Sequence, residues 1–166
     1  TMVSVDKNGC VNPEDIKNNI TSDTGLISIM MANNEVGTIE PIKDIANIAK
    51  EHDILFHSDA IQMLGKLPVD VKKLNVDMMS FSAHKFYGPK GVGALFIKNG
   101  ITIKPMIIGG SQEKNMRAGT ENVSGIAGLG LAAEIANKSA NEDFSHLLKL
   151  ENHFRNRIIE KNDDII

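Results

Sequence analysis

Residues 80–91 read Ser-Phe-Ser-Ala-His-Lys-Phe-Tyr-Gly-Pro-Lys-Gly, and the rest of the chain is organised around them. An apolar run from Val76 to Phe81 is typical of a buried strand, and it is followed by Ser82, His84 and Lys85. The glycine and proline that come next prevent a regular helix. The stretch therefore predicts a lysine at a strand end, between a hydroxyl and an imidazole. Apolar surroundings would favour its nucleophilic neutral amine, although this motif alone fits a solvated surface lysine better, since most lysines are solvated charges.

Short apolar runs alternate with amphipathic segments along the first half of the chain. The predicted strands are residues 25–32, 54–60 and 76–81, and the predicted helices are residues 13–19, 41–51 and 69–74. This order predicts an α/β fold, a mostly parallel sheet covered by helices in three layers, α/β/α. Ligands of such sheets bind beyond the carboxyl ends of the strands. Asn34, Asp59 and Lys85 each follow a predicted strand, so we treat them as one site.

The second half of the chain begins with a change of strand direction. Residues 91–97 follow the lysine motif too closely for a crossover helix, so we expect them to pair antiparallel with a neighbouring strand. Residues 1–5 and 101–108 are also prone to form strands. Residues 109–120 form a long polar loop of the kind that is usually functional. The remaining pattern predicts one helix over residues 123–138 and a second that begins near residue 141.

Composition narrows the class of protein. The chain has 166 residues, 42% of them hydrophobic, which is enough for one domain with a core. Its net charge of −3 comes from well-mixed acidic and basic residues, so we expect no nucleic-acid partner. The longest apolar run, residues 125–133, is too short to span a bilayer, so we expect no membrane partner. The single cysteine, Cys10, fits a reducing compartment. We therefore expect a soluble, cytoplasmic protein.

Asp59 lies two residues after His57, so both side chains project from the same face of a strand. A carboxylate in this position can hold the nitrogen of a heterocycle protonated, as the ring of pyridoxal phosphate requires. The alternative is a strand-end acid that caps the next turn. A metal site formed by His57, Asp59 and His84 is disfavoured, because these residues lack the paired spacing of known zinc ligands.

Other polar side chains near the strand ends have two interpretations each. Gln62 could donate to a phenolic oxygen, or it could be an ordinary surface glutamine. Ser82 and His84 could both bind a phosphate, or they could simply be polar residues at the end of a strand.

The glycine-rich residues 88–93 lack the spacing of a nucleotide-binding loop and lead into a strand. Cys10 has no neighbour in the sequence that would activate it as a nucleophile.

Four motifs in order resemble one family over nearly the whole chain. They are residues 31–38 (Met-Ala-Asn-Asn-Glu-Val-Gly-Thr), 57–62 (His-Ser-Asp-Ala-Ile-Gln), 80–91 and 117–122 (Arg-Ala-Gly-Thr-Glu-Asn). Together they resemble the cysteine desulfurases of the NifS/IscS type. That family belongs to the class V aminotransferase group of fold type I pyridoxal phosphate enzymes.

The resemblance implies a role for each matching residue. Lys85 would be the catalytic lysine that forms the Schiff base with pyridoxal 5'-phosphate. The other implied cofactor contacts are Asp59 at the pyridine nitrogen, Gln62 at the ring oxygen, Ser82 and His84 at the phosphate, and Asn34 beside the ring oxygen and the substrate carboxylate. Thr120 would reach the phosphate of the other subunit's cofactor in a homodimer. No metal is implied.

The resemblance also implies an activity and a division of the chain. The family removes sulfur from L-cysteine to give L-alanine and an enzyme persulfide, which a sulfur acceptor or an iron–sulfur scaffold protein receives. The family's ring-stacking residue and sulfur-accepting cysteine have no match here. We therefore expect residues 1–140 to be the central part of the large domain and residues 141–166 to be a helix leading toward a small domain, the fragment alone being inactive. Alternatives are a selenocysteine lyase, another class V enzyme, or a non-catalytic dimerisation or scaffold module.

Overall fold

The computed structural model describes residues 1–161, and its centre is a four-stranded sheet in the order β1-β2-β3-β4. The strands are β1 (Leu26–Met30), β2 (Leu55–Asp59), β3 (Met78–Ser82) and β4 (Gly93–Ile97). β1, β2 and β3 are parallel, and β4 pairs antiparallel with β3. The sheet confirms the predicted mostly parallel α/β fold and the predicted change of direction in the fourth strand.

The described residues contain four helices and two short 3-10 turns. The helices are α1 (Pro13–Asn18), which precedes the sheet, α2 (Ile42–Glu51) and α3 (Val71–Leu74), which connect the parallel strands, and α4 (Val123–Ile159), which follows β4. The 3-10 turns are Ala83–Phe86 and Gln112–Asn115. The side chain of Asn12 caps α1 by accepting from the backbone N–H of Glu14 at 3.1 Å. Asp70 caps α3 by accepting from the N–H groups of Lys72 and Lys73. These local signals explain why α1 and α3 begin close to where the sequence predicts.

One face of the sheet is covered by α2 and its neighbours. Because β1, β2 and β3 are neighbours in chain order, right-handed crossovers place α2 and α3 on the same face. The core on this face includes Ile45 and Phe56, each 0% exposed. On the opposite face Leu26 and Leu55 remain 52% and 37% exposed. The described residues thus supply the sheet and one of the two helical layers of the predicted α/β/α arrangement.

Two predicted strands are wrong. Residues 1–5 form only a single bridge, between Val5 and Val11, because the chain reverses at once in the turn at residues 6–9. Residues 101–108 form no strand in the described part of the chain. Pro105 interrupts that segment and cannot donate to a ladder, and Met106 is 99% exposed.

The predicted break between two C-terminal helices is also wrong, because α4 is one continuous helix of 37 residues. Ser139 donates to the carboxylate of Asp143 at 2.6 Å, and Ser145 donates to the backbone oxygen of Asn141 at 2.8 Å. These contacts across one turn satisfy polar side chains that otherwise favour helix ends. The predicted boundary at residue 140 thus falls inside α4, and residues 162–166 of the predicted segment lie outside the described residues.

Candidate active site

Lys85 lies in the 3-10 turn that follows β3. Ala83 and Phe86 anchor this turn, with exposed fractions of 0% and 2%, while His84 and Lys85 between them are exposed. A Cβ atom placed on Gly88 would lie 2.9 Å from the Cβ of Ala83, so the chain after the turn packs where only glycine fits. The turn thus presents the Lys85 amine beyond the end of β3. The predicted apolar surroundings of Lys85 are wrong for the described residues, because its side chain faces solvent.

Ser82 and His84 bond to each other beside this lysine. The Ser82 hydroxyl lies 2.8 Å from Nδ1 of His84. If the hydroxyl donates, Nε2 of the imidazole carries the remaining N–H, and if Nδ1 donates, the hydroxyl keeps its own proton. In either arrangement the pair retains a donor for an anion, which suits a phosphate.

Asp59 ends β2, the strand next to β3, and lies opposite Ser80 in the sheet register. Its Oδ1 accepts from the backbone N–H of Ile61 at 2.8 Å. The alternative of a strand-end acid that caps the next turn is therefore observed. This cap uses only Oδ1. Oδ2 forms no hydrogen bond in the described part of the chain, so Oδ2 can still accept a hydrogen bond from a ligand. Within residues 1–161, no three His, Cys, Asp or Glu side chains are grouped to hold a metal ion.

Asn34 and Gln62 line one cavity of about 300 Å³. Asn34 is exposed in the loop after β1, which Asn33 shapes by accepting from two backbone N–H groups, those of Glu35 at 2.8 Å and Val36 at 3.0 Å. Gln62 lies on the turn after β2. The C-terminal half of α4 closes the far side of the cavity with apolar side chains, among them Phe144. Asn34 and Gln62 therefore share one cavity, which Asp59, Ser82, His84 and Lys85 do not line. A single site for all of these residues stays a prediction.

Thr120 stands apart from the other candidates. It is exposed in the loop before α4, and within the described residues it bonds to none of the other candidate side chains. The loop around it is held by other contacts. Gln112 accepts from the N–H of Gly119 at 3.1 Å, and Asn122 caps α4 by accepting from the N–H of Gly125 at 3.1 Å. A contact of Thr120 with another subunit's cofactor therefore stays a prediction.

Two further polar groups, His57 and Lys66, form contacts that the sequence did not predict. His57 spans three strands on the open face of the sheet, with Nδ1 2.8 Å from the Ser28 hydroxyl and Nε2 2.7 Å from the Ser80 hydroxyl. Partial burial lowers the pKa of His57, and the Asp59 carboxylate acts in the opposite direction. Lys66 donates to the side-chain oxygen of Gln62 at 3.0 Å. Its spacing of four residues from Gln62 was a signal that the sequence already carried.

Comparison with known proteins places this arrangement in a family. The chain matches the family model for class-V aminotransferases over residues 1–164. The chain therefore belongs to the class-V aminotransferase family.

The similar proteins are cysteine desulfurases. The chain is 53% identical over 165 residues to the cysteine desulfurase IscS of Dictyoglomus turgidum, covering 99% of this chain and 42% of that protein. It is 56% identical over 160 residues to the cysteine desulfurase IscS of Methanosarcina thermophila, covering 96% of this chain and 39% of that protein. A solved NifS-like protein is 46% identical, with a TM-score of 0.93 over 96% of this chain and 44% of that structure. The chain thus spans about two fifths of the length of the curated relatives it matches.

Proposed function

We propose that the full-length protein containing this chain is a pyridoxal 5'-phosphate-dependent cysteine desulfurase. The observation that carries the proposal is the placement of Lys85, the Ser82–His84 pair and Asp59 at the carboxyl ends of the adjacent strands β3 and β2. The relatives with 53% and 56% identity bear the name cysteine desulfurase, which supports L-cysteine as the substrate. The products would be L-alanine and a protein-bound persulfide.

The residues present fit the cofactor. Ser82 and His84 offer donors for its phosphate, and the exposed Lys85 amine is accessible to its aldehyde. The free oxygen of Asp59 can hold the pyridine nitrogen protonated, while Asn34 and Gln62 offer amides for the ring oxygen. When bound, pyridoxal phosphate supplies an electron sink for bonds to the substrate's α-carbon. The role of Asp59 is to maintain that property by keeping one proton in place.

Cys10 does not fit the role of sulfur acceptor. It is half-buried, and burial, followed by the nearby carboxylates of Glu40 and Asp6, raises the pKa of its thiol. A raised pKa disfavours the thiolate, which is the nucleophilic form. We therefore assign the persulfide to a thiol outside these 166 residues and expect the chain alone to be inactive.

The assembly proposed for the full-length protein is a homodimer in the cytoplasm that passes sulfur to an acceptor or to an iron–sulfur scaffold protein. Exposed apolar side chains, including Tyr87, Met106 and Ile108 at 99%, 99% and 86% exposure, support association with another surface. No described helix is both long and apolar enough to cross a membrane. Sedimentation of the full-length protein tests the dimer, and a monomer at micromolar concentration would contradict it.

Borohydride trapping tests the function at its central residue. The full-length protein is loaded with pyridoxal phosphate, reduced and mapped by peptide mass spectrometry. The expected label is on Lys85, and Lys85→Arg is expected to abolish both the label and the release of alanine from L-cysteine. A label on Lys90 or Lys98 would refute the assignment.

Asp59 provides a second test. Asp59→Ala in the full-length protein is expected to retain bound cofactor but to lose turnover by about a hundredfold or more, because the pyridine nitrogen loses its proton-holding partner. Cofactor content is measured by absorbance and turnover by alanine release. Unimpaired turnover would exclude this role for Asp59.

A further inference from the structure

The turn that carries Gln62 is packed against the turn that carries Lys85. Between Gln62 and Lys66 the chain passes through Gly65, which has a left-handed φ of +81°. A Cβ atom on Gly65 would lie 2.9 Å from the Cβ of Phe86 and 3.1 Å from the Cβ of Ala136. Phe86 directly follows Lys85. This close approach therefore brings Lys66, the neighbour of Gly65, toward the amine that the proposed function assigns to the cofactor.

The contact between Lys66 and Gln62 fixes which end of the amide is left to donate. Nζ of Lys66 lies 3.0 Å from Oε1 of Gln62. An ammonium group only donates hydrogen bonds, so its partner must be the amide oxygen and not the amide nitrogen. With the oxygen engaged, Gln62 presents its NH₂ group as a donor. A free glutamine would present either end.

The surroundings of Lys66 disfavour its ammonium, because burial lowers the pKa of Lys66 and the positive charge of Lys85 lowers it further. The Gln62 oxygen, at 3.0 Å, is the acceptor that stabilises the ammonium against both effects. Glu151 of α4 lines the same cavity, but its carboxylate bonds to Arg155 at 2.8 Å. Among the described residues, no carboxylate pairs with Lys66.

We propose that Lys66 is a positioning residue that holds the Gln62 amide in the orientation that donates to the phenolic oxygen of the cofactor ring. The proposal rests on the proposed function, because it needs a ring oxygen to receive the bond. Lys66 would act through Gln62 without touching the cofactor. Loss of its ammonium would free the amide to rotate and would weaken the donated hydrogen bond.

The test compares Lys66→Met and Lys66→Arg in the full-length protein loaded with pyridoxal phosphate, with Lys138→Met as the control. Lys138 also contacts a residue four positions away, at 2.6 Å from Glu134, so the control removes the same charge from an exposed pair. The first readout is the pH at which the visible absorption of the bound cofactor changes. The second is the dissociation constant for pyridoxal phosphate.

Lys66→Met is expected to raise the midpoint of the absorption change by about half a pH unit, the order that loss of part of one hydrogen bond produces. The hydrogen bond that Gln62 donates draws electron density from the phenolic oxygen of the ring. When this bond weakens, the phenolic oxygen holds more tightly the proton that it shares with the Lys85 linkage. That proton therefore leaves at a higher pH. Cofactor affinity should fall a few-fold. Lys66→Arg should stay near the wild type, since a guanidinium also donates, and Lys138→Met should match the wild type.

A double-mutant cycle with Gln62→Leu separates positioning from direct charge. If Lys66 acts through the amide, Lys66→Met should shift the midpoint less when Gln62 is already leucine. Equal shifts in both backgrounds, or no shift in Lys66→Met, would overturn the proposal. A wild type that gives no borohydride label on Lys85 would instead contradict the proposed function, so the two failures are distinguishable.

Discussion

The two faces of the sheet differ in how their polar side chains are hydrogen-bonded. On the face covered by α2, Ser58 is 0% exposed and its hydroxyl has no hydrogen-bond partner within residues 1–161. On the open face, His57 holds the hydroxyls of Ser28 and Ser80 at 2.8 and 2.7 Å. The covered face therefore gains its stability from apolar packing, although it contains one unpaired hydroxyl. On the open face, polar side chains are hydrogen-bonded to each other, and they lie on the same face of the sheet as Asp59 at the end of β2.

The largest expected effect is on the covered face. Phe56→Ala removes a side chain that is 0% exposed in the centre of the core, and it should lower the free energy of unfolding by about 3–5 kcal/mol. Leu55→Ala, at the adjacent position on the opposite, open face, is the matched control; its side chain is 37% exposed, and the change should cost about 1 kcal/mol or less. Urea denaturation of the purified chain measures both changes. Equal losses would remove the distinction between the faces.

The next largest effect tests whether the turn at Gly65, beside the candidate site, is stabilised by close packing, as the covered face is. Gly65→Ala meets both a left-handed φ of +81° and a contact of 2.9 Å with Phe86, and it should cost about 2–4 kcal/mol. Gly37→Ala has a similar φ of +78° but nothing within 4 Å, so it should cost only the backbone strain of about 1–2 kcal/mol. Thermal and urea unfolding compare the two variants. A Gly37 variant that loses as much as the Gly65 variant would show that crowding contributes nothing.

The sequence predicts the covered face well because its signals are local. Ile42, Ile45, Ala46 and Ala49 recur at helical spacing in α2, and all four are buried. The strand ends that carry Asp59 and Lys85 follow from the same periodicity. The bond between Ser28 and His57 depends on the register of two strands, and its partners are 29 positions apart in the sequence, so no local pattern reveals it. The continuity of α4 was missed because Asn141 resembles a helix start, whereas its neighbours support a helix interior.

A smaller effect on the open face depends on pH. Since the pKa of His57 is lowered in the folded chain, the unfolded chain binds more protons as the pH falls through the ordinary histidine value of about 6.5. The stability contribution of the neutral imidazole is thus fully present above pH 6.5 and is lost as the pH falls toward the folded pKa. The loss should be less than about 1 kcal/mol, because the imidazole is only partly buried.

Urea denaturation between pH 5 and 8 compares the wild type with His57→Gln, which should lose less stability over this range. His153→Gln removes an exposed imidazole from α4 and controls for the loss of one histidine. If His57→Gln keeps the full pH dependence of the wild type, the imidazole is not held neutral by its surroundings.

Ser58→Ala and Ser80→Ala separate the two faces by the sign of the change in stability. Ser58→Ala removes a buried hydroxyl without a partner, so the change should be neutral or stabilising by up to about 1 kcal/mol. Ser80→Ala makes the same substitution on the open face and removes a partner of His57, so it should destabilise by about 1 kcal/mol. Both are measured by urea denaturation at pH 7.5, where the imidazole of His57 is neutral in the folded chain. A clear loss of stability in Ser58→Ala would mean that its hydroxyl finds a partner in solution, and the two faces would then satisfy their polar groups alike.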